Sequence, residues 1–511
     1  LNVSPRAISP IEHPQLRLEA LSDDDVRRIH QATLEVIETV GVRFPSGWAL
    51  DILEEAGAMV DRESQIARLS GQIIEKALAK APPSYVLCAR NPALDLPLDG
   101  EHSYLSTDGC GVEVIDLETG ERRRSTKQDV AESALVADYA PQIAFYWPIV
   151  AAQDCPPQTR SLHELEAAWS NTTKHVQTEC IITAREAEAA IEMAAAIVGG
   201  REELRKRPIL SIMQCTISPL AQDGGSLEAA LVAAEAGLPV GFMTMASCCS
   251  TGPATLAGNL VVGNAEVIAA SALIELAYPG TPIFYAAAQT AMDLRTGAYT
   301  GGGPEDYLFG AATNQLADFY RIPLSMGTFA TGAKEPDWQA ALDNALAGLM
   351  PVLSGADMLT GAGLLYGSRI LSYEQLLMDC EIYDIVQATA QGIEVNEETL
   401  ALEAIKSVGV GGHYLDQRHT LKHMKERWVP SLVDRRSYRA WEKNGRRGAR
   451  EWAHEKARWI LANHRPEPLE PRLQEELSRI IQRSLTGPPG TSGRFAGPRT
   501  SSSAPASGSK P

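Results

Sequence analysis

From Tyr104 onward, short apolar runs alternate with long stretches of helical periodicity. The short runs are Tyr104–Thr107, Ile143–Val150, His175–Cys180, Ile209–Gln214, Val240–Met245, Ile283–Ala288, Leu324–Thr328 and Met358–Thr360, and they predict strands. Helix candidates fall between them at Lys127–Tyr139, Leu162–Ser170, Ala184–Val198, Ser226–Gly237, Ala254–Tyr278, Glu305–Tyr320, Trp338–Ser354 and Tyr373–Gln391. Eight strands, each followed by a helix, predict an α/β fold of the (β/α)8 barrel type, with an open doubly wound sheet as the alternative. A hairpin insert after the first strand is predicted at Val112–Asp116, turning at Glu118–Gly120.

The chain before the barrel reads as helical. Ser22 to Asp25 resembles a capping box, opening an amphipathic run to Val40 that Gly41 stops. Further helices are expected at Trp48–Ala56 and from Ser70 to Pro82-Pro83, with a strand at Tyr85–Ala89. After Gly409 the sequence becomes charged and Trp-rich, as in helices packed on a barrel. From Gly487 it is mostly Gly, Pro and Ser, with little to bury. The expected division is an N-terminal helical extension over 1–100, the catalytic barrel over 101–400, a helical C-terminal extension over 401–486 and a disordered tail over 487–511.

Composition narrows the class. The 511 residues are 44% hydrophobic and 22% charged, ample for a large core. The net charge of −18 argues against nucleic acid or an anionic membrane as a partner. The most apolar stretch, Ala254–Tyr278, contains Asn264, Glu266 and Glu275, so it reads as a buried helix and not a membrane span. The eight cysteines are scattered without a CxxC pair, which favours reduced thiols and a cytoplasmic setting. LNVSPRAISPIEHPQ at the start lacks the apolar stretch of a signal peptide.

Barrel active sites sit at the C-terminal ends of the strands. Those ends offer Asp108, Cys110, Tyr146, Trp147, Gln177, Glu179, Gln214, Thr216, Ser247, Cys248, Gln289, Asp293, Thr328 and Thr360. The ring is polar and aromatic, has few carboxylates and no histidine, and so gives little support to acid–base hydrolysis. Adjacent Cys248 and Cys249 are poorly disposed to share a metal, because neighbouring side chains diverge, and no metal bound by this chain is expected. Gly409-Val-Gly-Gly-His413 follows a helix instead of a strand, which argues against a nucleotide loop.

Four blocks occur in order: MASCCSTGPATLAGNLVVGNAEVIAA from Met245, AAAQTAMDLRTGAYTGGGPEDY from Ala286, the Ala317–Gly363 segment, and EQLLMDCEI from Glu374. Together they closely resemble the trimethylamine methyltransferase family, and the resemblance extends from about Leu21 to about Leu461. It implies transfer of a methyl group from a methylated amine to cobalamin carried by a separate corrinoid protein, and a homo-oligomeric assembly. This chain has no D-x-H-x-x-G corrinoid motif, since Asp416 to His419 has the wrong spacing. Family members acting on trimethylamine carry pyrrolysine in the loop after the seventh strand. Here Gly327–Trp338 contains standard residues only, which moves the expected substrate to a quaternary amine such as glycine betaine.

A quaternary ammonium is held by aromatic faces and carboxylates, because it has no proton to donate. Tyr104, Tyr146, Trp147, Phe329 and Tyr366 are the cage candidates, although Tyr and Trp on strands are more often core. Asp108, Gln177, Gln289 and Lys334 complete the expected substrate contacts, with Lys334, Arg295 or Arg369 meeting a substrate carboxylate. Glu179, Gln214 and His413 are the catalytic candidates: Glu179 to balance the cation, His413 to orient a loop over the mouth unless it is only structural. Gln214-Cys-Thr-Ile-Ser-Pro-Leu220 departs from the family's Asn-x-x-Ser-Pro-Leu pattern at its polar lead residue.

Overall fold

The computed structural model describes residues 6–12, 16–299 and 301–486; the predicted tail over 487–511 lies outside them. Eight parallel strands form the centre: β1 (His102–Thr107), β2 (Ile143–Tyr146), β3 (His175–Thr178), β4 (Leu210–Cys215), β5 (Val240–Thr244), β6 (Ile283–Ala287), β7 (Leu324–Gly327) and β8 (Met358–Ala362). Each pairs with the next, and β8 pairs back onto β1 with Met358 opposite Tyr104. That last pairing closes the sheet and excludes the open doubly wound alternative. Strand Ile11–Glu12 adds an antiparallel partner to the start of β1.

The second strand is shorter than its apolar run suggests. Thr107 Oγ1 accepts from the Trp147 amide at 2.9 Å and donates to the Trp147 carbonyl at 2.7 Å, and Pro148 has no amide to continue a ladder. The chain therefore leaves the sheet at Trp147.

Three helices precede the barrel: α1 (Asp23–Thr39), α2 (Gly47–Glu55) and α3 (Gly71–Leu78). Ser22 and Asp25 form the capping box that opens α1, and Gly41 turns the chain after it with φ of 90°. The barrel helices are α4 (Lys127–Tyr139), α5 (Arg160–Asn171), α6 (Ala184–Val198), α7 (Gly224–Ala236), α8 (Leu256–Ala277), α9 (Pro304–Tyr320), α10 (Trp338–Ser354) and α11 (Tyr373–Ala390). Helices α1, α2 and α3 pack on α8. That explains why α8 is apolar all round: 78% of its most apolar window is buried although it is long enough to span a membrane.

The N-terminal end of the barrel is stoppered. Hairpin Tyr85–Leu87/Leu96–Leu98 places Leu87, Leu96 and Leu98 against Tyr104, Phe145, Met213, Phe284 and Met358 of the interior. The opposite end is left open for chemistry. Beyond the barrel, α12 (Leu402–Val408) and α13 (Arg418–His423) belong to a surface strap, whereas α14 (Ala449–Asn463) packs on α11 and α15 (Pro471–Thr486) on α6.

Candidate active site

Alternation along β3 and the residue after it turns His175, Gln177 and Glu179 into the barrel in successive layers. His175 Nε2 lies 2.9 Å from Ser211 Oγ, Ser211 Oγ is 3.4 Å from Gln177 Oε1, and Glu179 Oε2 accepts from Cys215 Sγ at 3.5 Å. Only the last layer reaches the open end. There a cavity of about 700 Å³ lies over the strand ends and extends to the N-terminal turns of α5, α6 and α7.

Five carboxylates and a single cation line this cavity: Asp108, Glu164, Glu179, Glu186 and Asp223 against Arg160. Two of the acids are committed elsewhere. Glu186 accepts from Thr183 Oγ1 and Ser161 Oγ at the start of α6, and Asp223 caps α7 through the Ser226 amide. Asp108, Glu164 and Glu179 remain. Burial pushes Glu164 up to about 7, against the pull of the Ala152 amide. Burial, reinforced by the Asp108 charge, likewise pushes Glu179 up to about 7, and burial raises Asp108. Three carboxyl groups crowded in a partly dry site without enough counter-charge form a receptor that gains most from a cation.

The cavity thiols lie among carboxylates that disfavour the thiolate form. Burial raises Cys110, Cys180 and Cys215 well above the usual thiol range, and each is further raised by the neighbouring carboxylates. They serve as weak donors: Cys110 Sγ lies 3.5 Å from Asp108 Oδ1, matching the Cys215–Glu179 contact.

Trp147 and Tyr299 are the aromatic walls, with Met243 and Met245 beside them. The Trp147 ring is held in place by backbone: a Cβ on Gly109 would fall 1.7 Å from Trp147 Nε1. Gly109→Ala is therefore expected to drive the ring into the cavity and weaken tetramethylammonium binding about tenfold, an overpacking cost of about 1–2 kcal/mol. Isothermal titration of the variant against the parent protein measures it.

Of the residues named from sequence, Asp108, Cys110, Trp147, Glu179, Gln214, Thr216 and Thr360 line the cavity, Gln214 donating to the Ile181 carbonyl. The others are placed elsewhere. Tyr104 faces the stoppered end, three residues too early on β1. Tyr146 points outward between strand and helix, its hydroxyl bound to Ser133 Oγ and the Val130 carbonyl. Phe329 is fully buried against Gly348 of α10. Gln177 sits one layer below the cavity, and Gln289 is turned behind it to Asn259. Lys334 and Tyr366 stack on each other, 5.4 Å from ammonium to ring centre, exposed beside Gly367 and Ser368 of the cavity wall. His413 is exposed on the strap, 3.8 Å from Asp416, and does not line the cavity.

Sequence reasoning missed Arg160, Glu164 and Tyr299. The first two lie in the first turn of α5, where a charged pair at i, i+4 reads as an ordinary helix start. Tyr299 precedes Gly301–Gly303 in a segment that reads as a turn.

Comparison with known proteins decides the family. The trimethylamine methyltransferase family model matches residues 2–487. The chain belongs to that family. It is 35% identical over 465 residues to trimethylamine methyltransferase MttB of Desulfitobacterium hafniense strain DCB-2, covering 91% of this chain and 94% of that one. It is 33% identical over 468 residues to a glycine betaine methyltransferase of D. hafniense strain Y51, covering 90% and 96%. Monomethylamine methyltransferase MtmB of Methanosarcina barkeri aligns over 88% of this chain and 96% of its own, at 11% identity and a TM-score of 0.48. As a member of the trimethylamine methyltransferase family built on a closed barrel, the chain is a corrinoid-dependent methyltransferase.

Proposed function

We propose that this enzyme holds a small methylated amine at the barrel mouth and presents one methyl group to the corrinoid of a partner protein docked there. One observation carries the reading: three carboxyl groups, Asp108, Glu164 and Glu179, hydrogen-bonded to amides and thiols and not held in a salt bridge among the described residues, share a cavity with Trp147 and Tyr299. An ammonium without N–H bonds is stabilised by charge and by ring faces, and this lining supplies both. When bound, the reduced corrinoid supplies the nucleophile for an in-line displacement at the methyl carbon. The C–N bond breaks, its electron pair stays on nitrogen, and the departing amine loses its permanent charge. Glu179 and Glu164 then no longer hold it, which favours release.

The rim suits such a partner. Ile182, Ile217, Met245, Leu294 and Tyr366 are large apolar side chains, each at least 44% exposed, from the loops after β3, β4, β5, β6 and β8. An apolar collar around an acidic well fits a docked macrocycle that excludes water from the reacting carbon. The enzyme, reduced cobalamin or its corrinoid protein, and a panel of trimethylamine, glycine betaine, proline betaine and carnitine test the reading. Loss of the cob(I)alamin absorbance with one amine supports it. No transfer with any of them, in the presence of the corrinoid protein, overturns it.

A second, narrower reading names a betaine. Arg160 lines the same cavity, and its buried Nε has no hydrogen-bond partner among the described residues. A donor left unpaired beside a cation site favours a zwitterion, whose carboxylate would satisfy it. Arg160→Met is expected to raise KM for glycine betaine about 10- to 100-fold, the worth of one charge-assisted hydrogen bond of roughly 1.5–3 kcal/mol, and to leave a carboxylate-free amine unaffected.

The carboxyl groups also set a pH dependence. A quaternary amine does not titrate, so its affinity follows Glu164 and Glu179, both near 7 in the free protein. Because their pKa values are raised from 4.5, their contribution to stability is full below about 4.5 and is lost as pH rises through about 7. Cation binding has the opposite sign, since it needs the ionised form. The affinity for tetramethylammonium is expected to rise about tenfold or more between about pH 6 and pH 8, with proton release on binding at pH 7. Calorimetry in two buffers of different ionisation enthalpy measures both.

A further inference from the structure

The strap from 391 to 430 has an unusual construction: none of its residues is buried. Its apolar side chains, among them Ile393, Leu402, Val410, Leu415 and Leu421, are exposed, so no hydrophobic core holds it in shape. Segments that small and that open need another fastening. Glu381 of α11 fastens one end by accepting the amides of Ser431, Leu432 and Val433.

In the middle of the strap, three ligand-type side chains converge. His419 and His423 lie one turn apart on α13, their ring centres 4.4 Å apart, and Glu398 reaches them from the loop before α12. One ligand atom from each lies within 4.8 Å of the other two. Glu398 Oε1 is 3.2 Å from His423 Nε2, close to the spacing of neighbouring ligands around a tetrahedral ion with bonds of about 2.0 Å. The other nitrogen of the same ring, Nδ1, lies 2.6 Å from Glu426 Oε2. A carboxylate behind a histidine orients the ring and makes its outward nitrogen a better donor, which is how metal-binding histidines are supported. Lys422 Nζ approaches Glu398 Oε1 at 2.8 Å and opposes an ion there.

We propose that Glu398, His419 and His423 form a zinc site that staples the strap, with Glu426 positioning His423. Two imidazoles and a carboxylate suit Zn²⁺ and not the oxygen-loving Mg²⁺ or Ca²⁺, and three protein ligands leave one position for water. The site lies outside the barrel cavity, and its failure would leave the methyl-transfer reading untouched. Because a metal joins Glu398 to α13 across 21 residues, its binding energy becomes ordering energy for the chain between them.

The test uses full-length protein without a histidine tag, stripped with a chelator and titrated with zinc chloride. One zinc per chain is expected, with affinity lowered at least 100-fold in His423→Ala and about tenfold in Glu426→Gln, and raised in Lys422→Met. Zinc should also slow proteolytic cleavage between 392 and 430 in the parent protein and not in His423→Ala. The barrel's methyl transfer, measured on every variant, shows that each is folded. No stoichiometric zinc, or equal uptake by the parent and a His419→Ala/His423→Ala double variant, would overturn the site. Stoichiometric zinc with unchanged cleavage would overturn its role as a staple.

Discussion

Replacing Glu179 with Gln is expected to lower kcat/KM for the methylated amine by about 100- to 1,000-fold, because truncating one side of a buried charge pair costs about 2–5 kcal/mol. The change keeps size and shape and removes only the charge. Cys215 Sγ, which donates to Glu179 Oε2, can donate equally to an amide oxygen, so the wall should not collapse. Removing one ionisable group from the crowded trio also lowers the repulsion on Asp108 and Glu164, so the pH dependence of the variant should shift toward lower pH. Tyr146→Phe is the matching control. Its hydroxyl faces Ser133 and the Val130 carbonyl outside the barrel, and transfer should stay close to the parent rate. Equal losses in both variants would mean that the acidic cavity does not hold the substrate.

Glu266→Ala is expected to cost about 3–5 kcal/mol of stability, because it removes the acceptor shared by several buried donors. Glu266 sits in the middle of α8, fully buried. Its Oε2 accepts from Thr216 Oγ1 at 2.6 Å, Ser218 Oγ at 2.8 Å and Thr244 Oγ1 at 2.8 Å, and its Oε1 accepts from the Leu220 amide at 2.9 Å. Burial still raises its pKa despite those four donors. The group binds β5 and the 216–220 loop to one helix, and Thr216 and Ile217 of that loop line the cavity. The variant should therefore lose both thermal stability and substrate affinity. Glu266→Gln should cost less, since its oxygen can still accept from the Leu220 amide while its two N–H groups donate to two of the three hydroxyls turned to accept. Thermal unfolding of the three proteins, with tetramethylammonium titration at a temperature where all are folded, separates the two losses.

The same carboxylate shows how an anomaly in sequence can be explained only by packing. Glu266 marked Ala254–Tyr278 as a core helix and not a membrane span, because an unpaired acid is costly in lipid. Its partners come from positions 216 to 244, and nothing local in the sequence joins them.

Much of the architecture was legible. The eight strand runs and eight helical runs reappear with small shifts, and Lys127–Tyr139, Ala184–Val198 and Trp338–Ser354 keep the bounds their periodicity suggested. The exception, Ile143–Val150, stops early for a reason written beside it, at Pro148. The family blocks were equally legible because they are contiguous in sequence.

The cavity was less so. Position along a strand alone cannot say which end of a side chain's layer it occupies, and aromatic residues with the same local pattern separated widely. Trp147 reached the mouth, Tyr146 turned to α4, Tyr104 stayed at the closed end, and Phe329 sank beneath α10. Tyr299 arrived from the antiparallel pair Thr290–Asp293/Ala298–Tyr299 beyond β6, and Arg160 and Glu164 from a helix start, none of them in a barrel strand.

The sequence by itself determined the secondary elements, their alternating α/β order and the family, because hydrophobic period and contiguous motifs are local properties that a chain carries before it folds, whereas closure of the sheet was decided by the β8–β1 pairing. Tertiary structure alone decided which charged and aromatic groups meet at the mouth. Those groups come from the ends of three barrel strands, the starts of three helices and the segment at Tyr299, spread over some two hundred residues, and their protonation depends on burial that exists only once the barrel has closed.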